Sequence, residues 1–447
     1  MGTIIDYVKN AVMPFSIDFP FNEADAIVFS QLSYFHFPSE VPRLQFDTTA
    51  VSHCILQQPL HSHMDASRYF ARRFKTVTQS TCTQRFIENP LIATPEQRHH
   101  RFSLGKSSQE TPDQKTNDIT PDNTVTSFSS PYPLKNLLRS EYYSSLVHDV
   151  AYSHHNIELL EALGSSPRFR NVMIQHFVEP DSPTSPVRFS AVTFDLGNGV
   201  LYIAFRGTDG TVAGWHDNYR MTFLSPVPSQ AIAADYFARI ATEWNGTFIL
   251  GGHSKGGNLA IYASAVAPQV VQHRILAVYS LDGPGFSDRF IHSQGYLTIK
   301  NRIHKIIPEG SLIGTLLLSN SDSHIVKSTA SGIMQHYPMT WVFNDQNQLV
   351  ASDHVTALSA YITKTVNQWM WKFEPAKRRR FIDGFFDSIT KAGYTDFIDI
   401  FADLKTSIPK IYAQIRQLPS DERKLISMFL TGLVNIAVNT LPELWHR

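Results

Sequence analysis

The segment 252–256 (GHSKG) constrains this chain more than any other part of its sequence. A short apolar run, 248–250, precedes the segment, and a helix-forming stretch rich in small residues, 258–266, follows it. A serine flanked by glycines between a strand and a helix is typical of a nucleophile elbow, a turn too sharp for larger side chains. The motif therefore predicts that the Ser254 hydroxyl lies at the top of a sheet, with the backbone N–H of Lys255 facing a developing oxyanion.

The middle of the chain alternates between short apolar runs and helix-forming segments. The apolar runs predict strands at 189–196, 200–205, 247–250, 275–281 and 302–307, and the helical pattern is clearest at 231–244. Gly197-Asn198-Gly199 predicts a hairpin turn between the first two strands. This alternation predicts an α/β fold of the α/β-hydrolase type, with a mostly parallel sheet flanked by helices.

Changes in composition divide the chain into four predicted regions. Residues 1–44 form an N-terminal helical segment that packs on the core, 45–133 a polar and partly disordered insertion, 134–360 the α/β core, and 361–447 a C-terminal helical region. The only two cysteines, Cys54 and Cys82, lie in the polar insertion, where we expect free thiols. Two cysteines exclude a disulfide scaffold, and no metal-ligand spacing is present in the sequence.

Charge and hydropathy limit the classes of partner and the location that we expect for this protein. The 39 basic and 39 acidic residues cancel, so the sequence predicts no nucleic-acid partner. Residues 1–10 show no Sec-type signal and 425–441 is interrupted by polar residues, which predicts a cytoplasmic location, with leaderless export as the alternative. The basic run 377–380 (KRRR) is interpreted as a peripheral membrane contact with anionic lipid or as a solvated helix face.

A second loop has the composition expected of an oxyanion site. The strand 200–205 is followed by Arg206-Gly207-Thr208, in which Gly207 permits close approach and Thr208 offers a backbone N–H and a hydroxyl. Thr208 and Lys255 are therefore the predicted oxyanion donors, and an ordinary strand-end turn is the alternative. The apolar residues that follow are interpreted as a lid or acyl-chain wall, or as core: Trp215, Tyr219, Met221, Phe223 and Leu224.

Several ordered motifs carry a resemblance to known families. Residues 204–208 (AFRGT) with Trp215 resemble the fungal-type (class 3) lipases, whose elbow is also GHSxGG. The chain more closely resembles the lipase-related Mbeg-like family, in the segments 21–26 (FNEADA), 32–34 (LSY), 166–169 (SPRF), 205–209, 214–215, the elbow, 282–286 (DGPGF), 326–328 (VKS) and 335–336. The resemblance covers 1–42 and 136–345, is weaker in the C-terminal helices and does not extend to 45–133. It implies an α/β-hydrolase fold and lipase-like activity.

A serine nucleophile needs a base and an acid, which follow it in the order Ser, acid, His in hydrolases of this type. His336 lies in a loop before the apolar run 340–343, and the resemblance places the family histidine there too; His324 is the alternative. Asp282 directly follows the strand 275–281 and is the favoured acid. In class 3 lipases the acid follows the next strand, where this chain has Glu309, the alternative acid.

Together these residues predict a serine hydrolase that cleaves carboxylic esters through Ser254, His336 and Asp282 and an acyl-enzyme, with no metal or cofactor. A small-molecule ester or a lipid is the expected substrate, which includes phospholipid acyl esters as in a phospholipase A. The alternatives are a catalytically silent binding protein that keeps the elbow for packing, and a serine acyltransferase or peptidase.

Overall fold

The computed structural model describes residues 2–45, 130–148, 153–180 and 187–440. The α-helices, here α1 to α15, are Ile4–Asn10, Glu23–Leu32, Ser140–Leu146, Ser153–Ser165, Val212–Arg220, Pro228–Glu243, Lys255–Val266, Gln269–Gln272, Asp288–Ile291, Gln294–Ile299, Ala357–Trp371, Pro375–Lys391, Phe397–Ala402, Leu404–Gln417 and Ser420–Thr440. The strands, β1 to β8, are Tyr132–Pro133, Met173–Val178, Ala191–Asp195, Val200–Phe205, Thr247–His253, Ile275–Leu281, Ile303–Pro308 and Ser323–Val326. Short 3-10 helices lie at Leu134–Leu137, Lys300–Arg302, Gly332–His336 and Pro338–Thr340. Apart from its two ends, the predicted insertion 45–133, with Cys54 and Cys82, lies outside the described residues.

The eight strands form one mixed sheet in which they are neighbours in chain order. Strands β1 to β4 pair antiparallel, and β4 to β8 pair parallel. The turn between β3 and β4 has positive φ at Gly197, Asn198 and Gly199, as the predicted hairpin requires. The predicted α/β fold is therefore confirmed.

The two faces of the sheet have separate hydrophobic cores. Connections between parallel strands that are neighbours in chain order are as a rule right-handed, which places their helices on one face of the sheet, and α6, α7 and α10 pack there. Strand β4 shows the alternation: Leu201, Ile203 and Phe205 pack in that core, whereas Tyr202 and Ala204 pack in the other. The face without crossover helices needs a separate cover.

The N-terminal segment provides that cover. Helix α2 begins with a capping box in which Asn22 and Asp25 bond each other's backbone, and it packs against β4, β5 and β6. The Asp25 carboxylate also accepts hydrogen bonds from Nε and Nη2 of Arg168, at 2.9 and 2.7 Å. This bidentate pair connects α2 to the loop after α4. The chain leaves α2 at the carboxyl end of the parallel strands, and this brings Tyr34 next to His253.

The C-terminal helices form a third core beside α5, and they are joined to its N-terminal loop by backbone hydrogen bonds. Val212 N–H donates to Thr395 O at 2.9 Å, and Phe397 N–H donates to Gly210 O at 3.3 Å. Val212, Trp215 and Phe223 pack into the C-terminal core. The loop that follows β4 is thus held partly by the C-terminal region.

The basic run 377–380 lies in α12, which begins at Pro375 as its sequence predicts. Arg378 is buried and donates to the carbonyl of Thr222, Arg379 lies 3.4 Å from Asp383, and Arg380 pairs with Asp421. Three of the four cations therefore have partners within the chain. In the described ranges no helix combines the length and the apolar character needed to cross a bilayer.

Candidate active site

The elbow predicted at Ser254 has the expected geometry. Strand β5 ends at His253 and α7 begins at Lys255. Ser254 between them has φ 57° and ψ −128°, a backbone conformation that residues other than glycine rarely adopt. A Cβ on Gly252 would lie 2.4 Å, and one on Gly256 2.0 Å, from the carbonyl oxygen of Phe205. Both glycines are therefore required by the close approach of β4 to the turn.

The carboxylate of Asp282 accepts a hydrogen bond from His336. Its Oδ2 lies 2.6 Å from Nδ1 of His336, while Oδ1 accepts from the Ser311 hydroxyl at 2.5 Å and from the Gly314 N–H at 3.1 Å. Asp282 is fully buried, and these three donors take the place of water around its charge. With Nδ1 donating to the carboxylate, Nε2 of a neutral His336 ring is left as the proton acceptor.

Three hydrogen bonds join the elbow to the ends of neighbouring segments of the chain. The Ser254 N–H donates to Leu281 O at 2.8 Å, which places the serine beside the residue that precedes Asp282. Nε2 of His253 donates to the carbonyl oxygen of His336 at 2.7 Å, and the centroids of the two rings lie 4.4 Å apart. The Tyr34 hydroxyl lies 2.8 Å from Nδ1 of His253 and, as that nitrogen carries no proton, donates to it.

His253 makes these bonds as a neutral ring. Burial holds the pKa of His253 well below its usual range, and repulsion from His336 in its protonated form lowers this pKa further. A neutral ring that donates through Nε2 must accept through Nδ1, so Tyr34 and His336 fix both its tautomer and its orientation. Burial also raises the pKa of Tyr34, so that its hydroxyl keeps its proton for this bond.

The Ser254 hydroxyl makes no hydrogen bond to the described residues, His336 included, and the residue keeps 8% of its surface exposed. Catalytic hydrogen bonds are often long before substrate binds, so this geometry is compatible with a catalytic hydroxyl.

The loop after β4 passes directly against Ser254. A Cβ on Gly207 would lie 2.7 Å from His253 O and 3.2 Å from Ser254 Cβ. Within the described part of the chain, the backbone N–H groups of Thr208 and Lys255 have no acceptor. The Thr208 hydroxyl accepts from Nδ2 of Asn218 at 2.6 Å.

The two alternative residues lie outside this arrangement. Glu309 accepts from the Ser352 hydroxyl at 3.0 Å, whereas the hydrogen bond of the His336 ring goes to Asp282. His324 pairs with Glu23, with Nδ1 and Oε2 2.9 Å apart, and this hydrogen bond raises the pKa of His324. The structure thus brings Asp282 and His336 together at the elbow and leaves Glu309 and His324 elsewhere.

The apolar residues after the loop are mostly core. Trp215 and Phe223 pack against the C-terminal helices, Met221 is buried, and Leu224 packs with the crossover helices. Tyr219 alone among the five is substantially exposed, at 38%. Core packing therefore describes four of these five residues.

Sequence reasoning did not assign roles to several residues that shape the site. Tyr34, His253, Ser311 and Asn218 position its other members, although Tyr34 and His253 lie within quoted motifs. No spacing pattern relates residue 34 to residue 253, because their contact depends on how the N-terminal segment covers the sheet.

The described residues contain no cluster of three or more side chains suited to hold a metal ion. Fold and geometry define the class: an α/β protein with a serine elbow at the carboxyl edge of its parallel strands, next to a histidine paired with a buried carboxylate. The model of the Mbeg1-like family matches residues 163–387, just over half of the sequence, and the chain belongs to this family. Fold and family together fit a hydrolase at this coarse level. A search of curated proteins finds no match.

Proposed function

We propose that this protein is a serine hydrolase that cleaves carboxylic esters, with lipid or phospholipid acyl esters as its substrate class. The observation that supports the proposal most strongly is the 2.6 Å hydrogen bond between His336 and the buried Asp282, held beside the strained Ser254 elbow by His253. Backbone strain at a serine is costly, roughly 1–3 kcal/mol, and such strain tends to persist at functional positions.

In the proposed reaction, Nε2 of His336 takes the hydroxyl proton as Ser254 Oγ attacks the ester carbonyl. The carbonyl oxygen becomes an oxyanion, which the uncommitted N–H groups of Thr208 and Lys255 stabilise. The C–O bond then breaks, the alcohol leaves with the proton from His336, and an acyl-Ser254 ester remains. Water, deprotonated by the same ring, hydrolyses this ester and restores the hydroxyl.

Asp282 has a positioning and electrostatic role in this scheme. It holds the tautomer of His336 that exposes Nε2, and its charge stabilises the imidazolium that forms when Ser254 loses its proton. The Ser311 and Gly314 donors hold the carboxylate in one orientation. None of these steps draws on a metal or a cofactor.

The substrate class is inferred from two features. The likeness to class 3 lipases in residues 204–208 favours acyl esters over peptides. Ile333 and Met334, just before His336, are 51% and 44% exposed and give the site an apolar border. A peripheral membrane contact through the basic run 377–380 stays a prediction. Three cations of this run already have partners within the chain, which leaves fewer charges for an anionic lipid surface.

The experiment compares wild type with Ser254→Ala in hydrolysis of p-nitrophenyl butyrate. We expect kcat to fall to the uncatalysed background in Ser254→Ala, with an unchanged melting temperature. Ser165→Ala, an exposed serine on α4, is the matched control and should hydrolyse like wild type. Turnover that survives Ser254→Ala would refute the assignment.

The second candidate is a catalytically silent binding protein, with which a Ser254 hydroxyl that makes no hydrogen bond to His336 is equally compatible. It predicts no hydrolysis by wild type against acyl esters of two to sixteen carbons, with specific lipid or ester binding retained. An acyltransferase would instead turn over these esters faster when an acyl acceptor other than water is added, and a peptidase would cleave peptides tested beside them.

A further inference from the structure

Lys255 places an ammonium group inside the protein, although the proposed chemistry uses only the backbone N–H of this residue. Its side chain is 1% exposed. Nζ donates to the carbonyl oxygen of Arg188 at 3.2 Å and lies 3.7 Å from Oδ2 of Asp217. A buried ammonium is costly unless it is paired, so the carboxylate of Asp217 makes its burial tolerable.

Asp217 lies in α5, the helix that follows the proposed oxyanion loop. Its side chain is 2% exposed, and Oδ2 accepts a hydrogen bond from the Ser229 hydroxyl in the first turn of α6. One carboxylate therefore joins the elbow, α5 and α6. Movement of α5 away from the elbow would separate Asp217 from Lys255 and leave this buried carboxylate without its counter-charge.

The neighbouring residue connects α5 to Thr208. Asn218 donates through Nδ2 to the Thr208 hydroxyl at 2.6 Å. Earlier in the same helix, a Cβ on Gly214 would lie 3.0 Å from Thr208 Cγ2, so the first turn of α5 packs directly on the threonine. The position of α5 thus determines the position of Thr208.

A second charge pair holds the same loop at its next residue. Arg188 pairs with Asp209 at 2.5 Å. Burial opposes ionisation of Asp209, but the Thr211 hydrogen bonds and the charges of Arg188 and Lys255 outweigh it and lower the pKa of this carboxyl. Lys255 therefore faces two carboxylates, and Asp217 is the one that belongs to α5.

We propose that Lys255 and Asp217 are a positioning pair that fixes α5 against the elbow, so that Asn218 holds Thr208 at the correct distance from Ser254. This inference rests on the proposed function, because it concerns the spacing of the two oxyanion donors. Neither side chain of the pair touches the reacting atoms. Lys255 thus has two separate roles, one through its backbone N–H and one through its ammonium.

The test measures kcat and KM for p-nitrophenyl butyrate in Lys255→Met, Asp217→Asn and the double variant. We expect each single substitution to lower kcat roughly tenfold or more, with KM changed less than about threefold, because oxyanion contacts strengthen in the transition state. The double variant should be no slower than the slower single variant, since the two residues act as one unit. The proposal of a positioning pair would be refuted if the single variants kept the wild-type kcat. It would also be refuted if the double variant lost kcat by the product of the two single losses.

Asn218→Ala tests the same link without disturbing the buried charges. It should lower kcat by a similar factor at a wild-type melting temperature, whereas Asn301→Ala, exposed at the amino end of β7, should change neither. If Lys255→Met does not fold, an unchanged kcat in Asn218→Ala overturns the proposal. A wild type that hydrolyses no ester overturns the proposed function itself, whereas an active wild type whose variants keep its kcat overturns only the positioning pair.

Discussion

Asp282 and Glu309 follow adjacent strands of the sheet, and their side chains have different partners. Asp282 bonds His336, while Glu309 bonds Ser352. The sequence favours Asp282 and leaves Glu309 as the alternative acid, because each follows the carboxyl end of a strand. The difference comes from side-chain direction after β6 and β7, which the linear spacing does not specify.

The first prediction separates these carboxylates. Asp282→Asn should lower kcat by roughly 10³- to 10⁴-fold, because an amide at this position favours the wrong tautomer of the histidine. Glu309→Gln is the matched control and should keep kcat within about twofold of wild type. Steady-state hydrolysis of p-nitrophenyl butyrate measures both, and the reverse order of effects would make Glu309 the acid.

The second prediction concerns pH and His253, whose pKa in the folded chain is well below the ordinary histidine value of 6.5 because the ring is buried. Below pH 6.5 the unfolded chain binds a proton at this residue that the folded chain does not, so stability falls as pH falls. His253→Gln should therefore show a smaller loss of melting temperature between pH 7 and pH 5 than wild type. Equal slopes for the two proteins would contradict a buried neutral His253.

At the scale of elements, the turn from β5 to α7 depends on close backbone packing. Gly256 lies in the first turn of α7, against the Phe205 carbonyl of β4, whereas Gly384 lies in α12 with its nearest neighbour 3.9 Å from an added Cβ. Both are helical glycines, so a methyl group has opposite consequences at the two positions.

The third prediction uses this contrast. Gly256→Ala should lower the melting temperature, or prevent soluble expression, because the methyl group would overlap the Phe205 oxygen. Gly384→Ala should raise stability by about 0.5–1 kcal/mol through the lower backbone entropy of alanine in a helix. Urea unfolding measures both free energies. A Gly256→Ala protein as stable as wild type would show that the turn is not tightly packed.

Most of the elements were predictable from local patterns. The strands Val200–Phe205 and Ile275–Leu281 match their predicted bounds, and α12 begins at Pro375 as expected. Elbow strand β5 runs three residues further than predicted, to His253, because glycines at 251 and 252 hide a strand from apolar periodicity. The candidate triad was named from the sequence, but the roles of Tyr34 and Asn218 were not predicted, since they depend on tertiary contacts alone.

At the scale of the whole molecule, the C-terminal helices are connected to the site through α5. Phe386 stacks on His216 of α5, with ring centroids 4.8 Å apart, and the ring of His216 pairs with Asp383 at 2.8 Å. The family match itself runs to residue 387, across the boundary predicted at 360/361. The core and the helical region therefore meet in a buried interface beside Thr208.

The fourth prediction follows from this interface. Phe386→Ala should destabilise the protein by about 3–5 kcal/mol, the usual cost of removing a buried phenylalanine side chain. It should also lower kcat, because α5 carries Asn218, the donor to Thr208. Urea unfolding and ester hydrolysis on the same sample measure the two effects. A destabilised variant with wild-type kcat would show that the helical region does not support the site.

The most direct test of the account is the covalent labelling of Ser254. A fluorophosphonate probe reacts with a serine only when a base activates its hydroxyl and an oxyanion site accepts the phosphonyl oxygen. We expect one adduct, located by peptide mass spectrometry on Ser254, and its loss in His336→Ala. An unlabelled wild-type protein, or an adduct on any other serine, would contradict the assignment of Ser254 as the nucleophile.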